Sequence, residues 1–141
     1  MNYAGDVTVH ECWNALCDEK DSQLLDVRTV PEWQFVGVPS LEPIGKRAHL
    51  IEWQSYPEMS VNPSFVRHAD ESLGRSGAKR ENSIFVICRS GVRSMEAAAA
   101  LSSCGYTRVY NVVGGFEGEK NNEGHRGTLS GWKFEGCPWI Q

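Results

Sequence analysis

An α/β domain built around a mostly parallel sheet is what this chain predicts, and three observations carry that expectation. Short apolar runs alternate with helix-forming stretches, the order that βαβ units produce. The run Ser83-Ile84-Phe85-Val86-Ile87 is apolar without alternation, as suits a strand covered on both faces. After it, residues 93–103 are rich in alanine and are followed by Gly105, the mark of a helix with a glycine stop. A length of 141 residues, 40% hydrophobic and 23% charged, gives room for one domain, 1–141, with its own core.

Taken in order, Thr8-Val9-His10-Glu11 has the form of a capping box, so a helix should run to about residue 17 and bury Cys12, Trp13 and Leu16. Residues 24–27 form a short apolar strand after the polar turn Lys20-Asp21-Ser22. Pro31 suits the first turn of a short helix over 32–36. Residues 48–51 read as another strand, and 52–63 show no period. Asn62-Pro63 has the chemistry of an N-cap and first helical residue, for a helix to about residue 73. A polar loop over 74–82 precedes the 83–87 strand, and the last strand covers 108–113 before Gly114-Gly115. Residues 117–130 are polar and glycine-rich, an exposed loop.

Composition excludes several classes. A net charge of −4 with scattered Lys and Arg speaks against a nucleic-acid surface. No apolar stretch approaches the roughly 20 residues of a membrane span, so no membrane partner is expected. The first six residues lack a basic and an apolar region, so a cytoplasmic location is the expectation. The five cysteines are odd in number and irregular in spacing, which argues against a disulfide framework. With no C-x-x-C pair and no His/Cys cluster at zinc spacing, no metal is expected. His10, His49, His68 and His125 are likewise scattered.

One segment carries chemistry. Cys88-Arg89-Ser90-Gly91-Val92-Arg93-Ser94 lies between the strongest strand and the strongest helix, where open α/β sheets bind ligands. A thiol ends the strand, a glycine lets the backbone curl, and a helix start turns its free amides inward, a nest for an anion. An ordinary thiol is only about 3% thiolate at neutral pH. The helix dipole contributes roughly 0.3–1 kcal/mol, too little alone. Several loop amides converging on sulfur, with the charges of Arg89 and Arg93, are expected to supply the rest. Four residues separate Cys88 from Arg93, one fewer than in cysteine phosphatases, and this tighter ring suits the outer sulfur of a persulfide. A phosphatase or arsenate-reductase-like enzyme and a non-catalytic binding module remain the alternatives.

This loop resembles the active-site loop of the rhodanese family in its single-domain form, with arginines at its second and sixth positions. Leu24-Leu25-Asp26-Val27-Arg28, Pro31-Glu32-Trp33 and Gly37-Val38-Pro39 are similar to the family's upstream signature. Val112-Val113-Gly114-Gly115-Phe116 and Gly131-Trp132-Lys133-Phe134-Glu135-Gly136-Cys137-Pro138 resemble its closing segments. The resemblance implies a five-stranded sheet flanked by helices on both faces, and a sulfurtransferase without a cofactor. It makes Cys88 the catalytic nucleophile and Arg89, Ser90, Gly91, Val92 and Arg93 the substrate-binding loop, the two arginines holding the sulfonate end of a donor. The implied partners are thiosulfate or a persulfide as donor, and a thiol, cyanide or a protein as acceptor. Two departures stand out: Gly37-Val38-Pro39 is one residue short and lacks a histidine, and 117–130 is an insertion.

Other residues have plainer readings. Asp26 and Arg28 are structural, with Arg28 able to pair with Glu32. Cys12, Cys17 and Cys104 are expected to pack on helices, while Cys137 is left open between a buried and an exposed thiol. Trp53 and Trp132 read as core or pocket wall.

Overall fold

The chain opens with a strand too short to show in the sequence, β1 (Gly5–Val7), and then α1 (Val9–Asp18). The expected capping box closes α1: the Glu11 amide donates to the Thr8 hydroxyl at 3.1 Å and the Thr8 amide to the Glu11 carboxylate at 2.8 Å. There follow β2 (Gln23–Asp26), α2 (Val30–Phe35), β3 (Val38–Pro39) and β4 (His49–Leu50). The aperiodic region holds a small hairpin, β5 (Gln54–Ser55) and β6 (Ser60–Val61). Then come α3 (Phe65–Arg75), β7 (Ser83–Ile87), α4 (Arg93–Ser103), β8 (Arg108–Val112) and β9 (Trp139–Ile140). This computed structural model describes residues 2–141; Met1, first in the amino-terminal segment considered above, lies outside them.

Five strands form one sheet in the order β1-β8-β7-β2-β4, every neighbour parallel. The fold class expected from the sequence is therefore present, with β7 at the centre and all five of its residues buried. Side chains alternate across the sheet, so β7 feeds two cores. Ile84 and Val86 join Phe65, Ala69 and Leu73 of α3 and Ala97, Ala98 and Leu101 of α4. Phe85 and Ile87 join Val9, Cys12 and Leu16 of α1, together with Phe116 and Trp132. Each buried Leu, Ile, Val or Phe among them contributes about 1.5–3 kcal/mol by leaving water. Trp132 seals the second face: it is fully buried, edge-on to Trp13 at 5.9 Å, and its indole N–H donates to the Pro138 carbonyl at 2.7 Å.

The closing segment is also stitched to the domain's middle. β9 pairs antiparallel with β3, Val38 opposite Ile140. Gly37 permits this, because it has φ +108° and a Cβ there would lie 2.7 Å from the Ile140 carbonyl oxygen.

Three expectations need correction. The third helix starts at Phe65 rather than at Pro63, because the Asn62 carboxamide oxygen accepts from the Ser64 amide at 3.0 Å and makes a turn ahead of the helix. Cys17 and Cys104 are exposed, not packed. Cys17 lies one step round the helix from the buried stripe Val9, Cys12 and Leu16, and Cys104 is the C-cap of α4. Arg28 pairs with Asp26 instead of Glu32: Nε reaches Oδ1 at 3.0 Å and Nη2 reaches Oδ2 at 2.6 Å, both side chains fully buried. The same guanidinium donates to the Gly37 carbonyl at 2.8 Å and lies 4.1 Å over the Phe116 ring. Among the described residues no helix is long and apolar enough to cross a membrane.

Candidate functional site

The loop after β7 turns at the carboxyl end of the sheet. Cys88 continues the buried strand, and its backbone is gripped from the turn after β8: the Phe116 amide donates to the Cys88 carbonyl at 2.8 Å, and the Glu117 and Gly118 amides to the Arg89 carbonyl at 3.0 and 3.2 Å. Gly115 makes this approach feasible, since a Cβ on it would lie 2.5 Å from the Cys88 oxygen, and its φ is +62°. The Gly-Gly segment thus serves the cysteine loop directly.

Within the loop, the Gly91 amide points at Cys88 Sγ, 3.1 Å away, and the Ser94 hydroxyl lies 3.2 Å from the same sulfur. Gly91 has φ +107°, a conformation that turns its N–H back toward the thiol. Several amides were expected at sulfur; among the described residues, that of Gly91 is the one within hydrogen-bond reach.

Behind Ser94 stands a buried polar chain that fixes the protons. The Asn111 amide nitrogen faces two acceptors, the Gly91 carbonyl at 3.3 Å and the Asp6 carboxylate at 3.2 Å. Its oxygen must therefore face Ser94, whose hydroxyl donates to it at 2.5 Å. With its one proton committed there, the Ser94 oxygen accepts from the Cys88 S–H. Sequence reading missed Asn111, which faces inward on β8 and carries no motif.

Outside the sulfur lies a cleft of about 640 Å³ lined by Cys88, Arg89, Ser90, Val92 and Arg93 from the loop, by Thr29, Pro31 and Glu32 from the start of α2, and by Gln54, Tyr56 and Met59 from the hairpin. Cys88 is 1% exposed and packs beside Val86 and Ala97, so only a small face of it meets the cleft. Arg89 is exposed, and among the described residues its guanidinium has no hydrogen-bond or ion-pair partner. Arg93, half-buried, is held in a two-pronged pair with Glu32, Nη1 to Oε1 at 2.7 Å and Nη2 to Oε2 at 2.9 Å. Glu32 is in turn fixed by the Thr29 amide at 3.2 Å and hydroxyl at 2.9 Å. Burial pushes the Glu32 carboxyl up, but Arg93 and Thr29 outweigh it and hold it below the ordinary glutamate range. Burial likewise opposes the charge on Arg93, and the Glu32 carboxylate prevails and raises its pKa. The spacing Thr29-x-x-Glu32, a capping box, was the available signal that Glu32 sits at a strand-to-helix turn. The hairpin residues gave none.

The other cysteines lie apart. Burial pushes Cys137 up to about 11, with Glu135 adding to it, and burial also raises Cys12 well above its ordinary value. Both are packed thiols at neutral pH. Among the described residues no group of three or more His, Cys, Asp or Glu side chains could hold a metal ion.

A crossover sheet with a cysteine-headed loop between central strand and helix defines a class, and the comparisons identify it. The Rhodanese-like domain family model matches residues 8–122, and the chain belongs to that family. Its relatives include the uncharacterized protein RP600 of Rickettsia prowazekii, 33% identical over 92% of this chain and 91% of that one. The crystal structure of Rv0390 from M. tuberculosis superposes with a TM-score of 0.87 at 40% identity, covering 99% of this chain and 98% of the other. Over a shorter span, 45% of this chain and 49% of the relative, it is 36% identical to thiosulfate sulfurtransferase 16, chloroplastic, of Arabidopsis thaliana.

Proposed function

We propose that this protein is a sulfurtransferase in which Cys88 takes a sulfane sulfur from thiosulfate or an organic persulfide, carries it as a persulfide, and hands it to a thiol, cyanide or protein acceptor. The observation that carries the reading is the position of Cys88 Sγ at the cleft with the Gly91 N–H directed at it. An amide aimed at sulfur supports negative charge there without reorganisation. In the first step the Cys88 thiolate attacks the outer sulfur of the donor. A new S–S bond forms, the donor's S–S bond breaks, and sulfite or a thiolate departs with the electron pair. In the second step the acceptor attacks the outer sulfur and restores the Cys88 thiolate, so transfer is split into two displacements.

Arg89 is the unpaired cation at the mouth and is assigned to the incoming anion. Ser90 and Val92 line the path of the transferred atom, and Arg93 acts there as part of its pair with Glu32. The unit of action is residues 1–141 as one domain, with 117–130 as an inserted loop. Five free thiols suit a reducing compartment, and we place the activity in the cytoplasm.

The test is direct. Incubation with thiosulfate or a persulfide should add one sulfur atom to the Cys88 peptide by mass spectrometry, and the Cys88→Ser variant should gain none. Steady-state rates with two varied substrates should follow a ping-pong pattern. A protein that takes up no sulfur at Cys88 from either donor sinks the proposal.

A further inference from the structure

The charge balance of the cleft carries one more step, which rests on the reading of Cys88 as the sulfur carrier. Of the charged side chains lining it, Arg93 and Glu32 cancel each other through two short hydrogen bonds. Glu32 is no loose surface carboxylate, being pinned from behind by Thr29, itself 2% exposed. Asp26, the next carboxylate felt by Arg93, is consumed by Arg28. Arg89 alone offers an unspent positive charge.

We propose that Glu32 is a specificity-determining residue that, by neutralising Arg93, makes the cleft favour organic persulfides over thiosulfate as sulfur donors. Thiosulfate brings two negative charges against a Cys88 thiolate and expels doubly charged sulfite, with a single free cation to compensate. An organic persulfide, R–S–SH, demands far less: Cys88 thiolate attacks the terminal sulfur, the donor's S–S bond breaks, R–S⁻ leaves with the electron pair, and the proton stays on the transferred atom. Charge is unchanged in that step, and one arginine suffices for the departing thiolate. The walls agree with a carbon-bearing donor, because Pro31, Tyr56, Met59 and Val92 present apolar surface around a volume of about 640 Å³, in the range of organic-ligand sites. Tyr56 and Val92 are both exposed at the rim, free to cover an R group.

The experiment compares second-order rates of sulfur loading on the Cys88 peptide from thiosulfate and from cysteine persulfide. Peptide mapping separates Cys88 from the exposed Cys17 and Cys104. The parent protein should load faster from cysteine persulfide. Glu32→Gln keeps an acceptor for the Thr29 cap and frees Arg93, and should shift the ratio toward thiosulfate by roughly tenfold, the change that ~1.4 kcal/mol makes. Arg93→Gln leaves Glu32 uncompensated and should shift the ratio the opposite way. Opposite signs from two variants of one pair separate charge selection from mere damage to the site. A parent that prefers thiosulfate, or a ratio that stays within about twofold in Glu32→Gln, overturns the inference while leaving Cys88 as the carrier. Absence of sulfur on Cys88 from both donors overturns the carrier reading itself, and the inference with it.

Discussion

Two arginine–carboxylate pairs stand within a few residues of each other at the end of the sheet, and they behave as different devices. Asp26–Arg28 is wholly buried, joins residues two apart, and ties β2 to Gly37 and to the ring of Phe116. Glu32–Arg93 is 19% and 15% exposed, joins residues 61 apart, and borders the cleft. Burial decides their roles. Charges removed from water must be matched completely, so the first pair is a strut that tolerates no loss of one member. The second retains contact with solvent, costs less to break, and can act on what enters the cleft.

The largest effect should come from halving the strut. Arg28→Ala leaves the Asp26 carboxylate buried and unpaired, and denaturant unfolding should show a loss of about 3–5 kcal/mol. It also removes the planar cover of Phe116, whose amide holds the Cys88 carbonyl. The double variant Asp26→Leu/Arg28→Met should recover most of that stability, because apolar replacement of both members removes the desolvation cost. The buried Arg28 Nη1 has no partner among the described residues, which already weakens the pair's net worth. If the double variant is no more stable than Arg28→Ala, the strut acts through its Gly37 bond rather than through charge matching.

A smaller loss is expected at the cleft. Arg93→Ala should cost about 1 kcal/mol, the scale of a partly exposed pair, measured by the same denaturant midpoint. A loss as large as that of Arg28→Ala would make both pairs struts and erase the distinction.

The strut and the cleft pair also differ in how they could be read beforehand. Asp26 and Arg28 sit in one motif, and their structural role was legible, although the partner assigned to Arg28 was not its real one. The choice between Asp26 and Glu32 depends on which way the chain turns after β2, and in the fold that turn delivers Glu32 to Arg93, far along the sequence. β7, α4 and the Cys88 loop were legible because each is a local pattern: an apolar run, an alanine-rich helix, a glycine at a bend. β1, β3, β9 and the β5–β6 hairpin escaped because strands of two or three residues carry no period, and their partners lie elsewhere, as with Val38 and Ile140. The cleft inherits the same limit. Its loop side could be read, while Tyr56, Met59 and the proton-fixing Asn111 arrive through tertiary contacts alone.

The smallest effect is a pH signature that locates the cleft pair. Glu32 is held below the ordinary glutamate value in the fold, so above about pH 4.3 the unfolded chain gains nothing by releasing its proton and the pair's full contribution is present. As pH falls from there through the folded value, the unfolded state takes up a proton first and that contribution is lost. Stability of the parent minus that of Glu32→Gln should therefore be flat from neutral pH to about 5 and shrink below about 4. His49 provides an internal reference in another window. Burial, then the charge of Arg75, lowers its pKa, so the fold favours its neutral ring between Ser72 at 2.6 Å and Gln23 at 2.9 Å. Its contribution is complete above about pH 6.5 and declines as pH drops below that, because the unfolded chain protonates first. His49→Gln should erase a slope just below pH 6.5, and Glu32→Gln one near pH 4. A Glu32→Gln profile parallel to the parent down to pH 3 would mean that the carboxylate exchanges its partner for water, and that Arg93 is as free as Arg89.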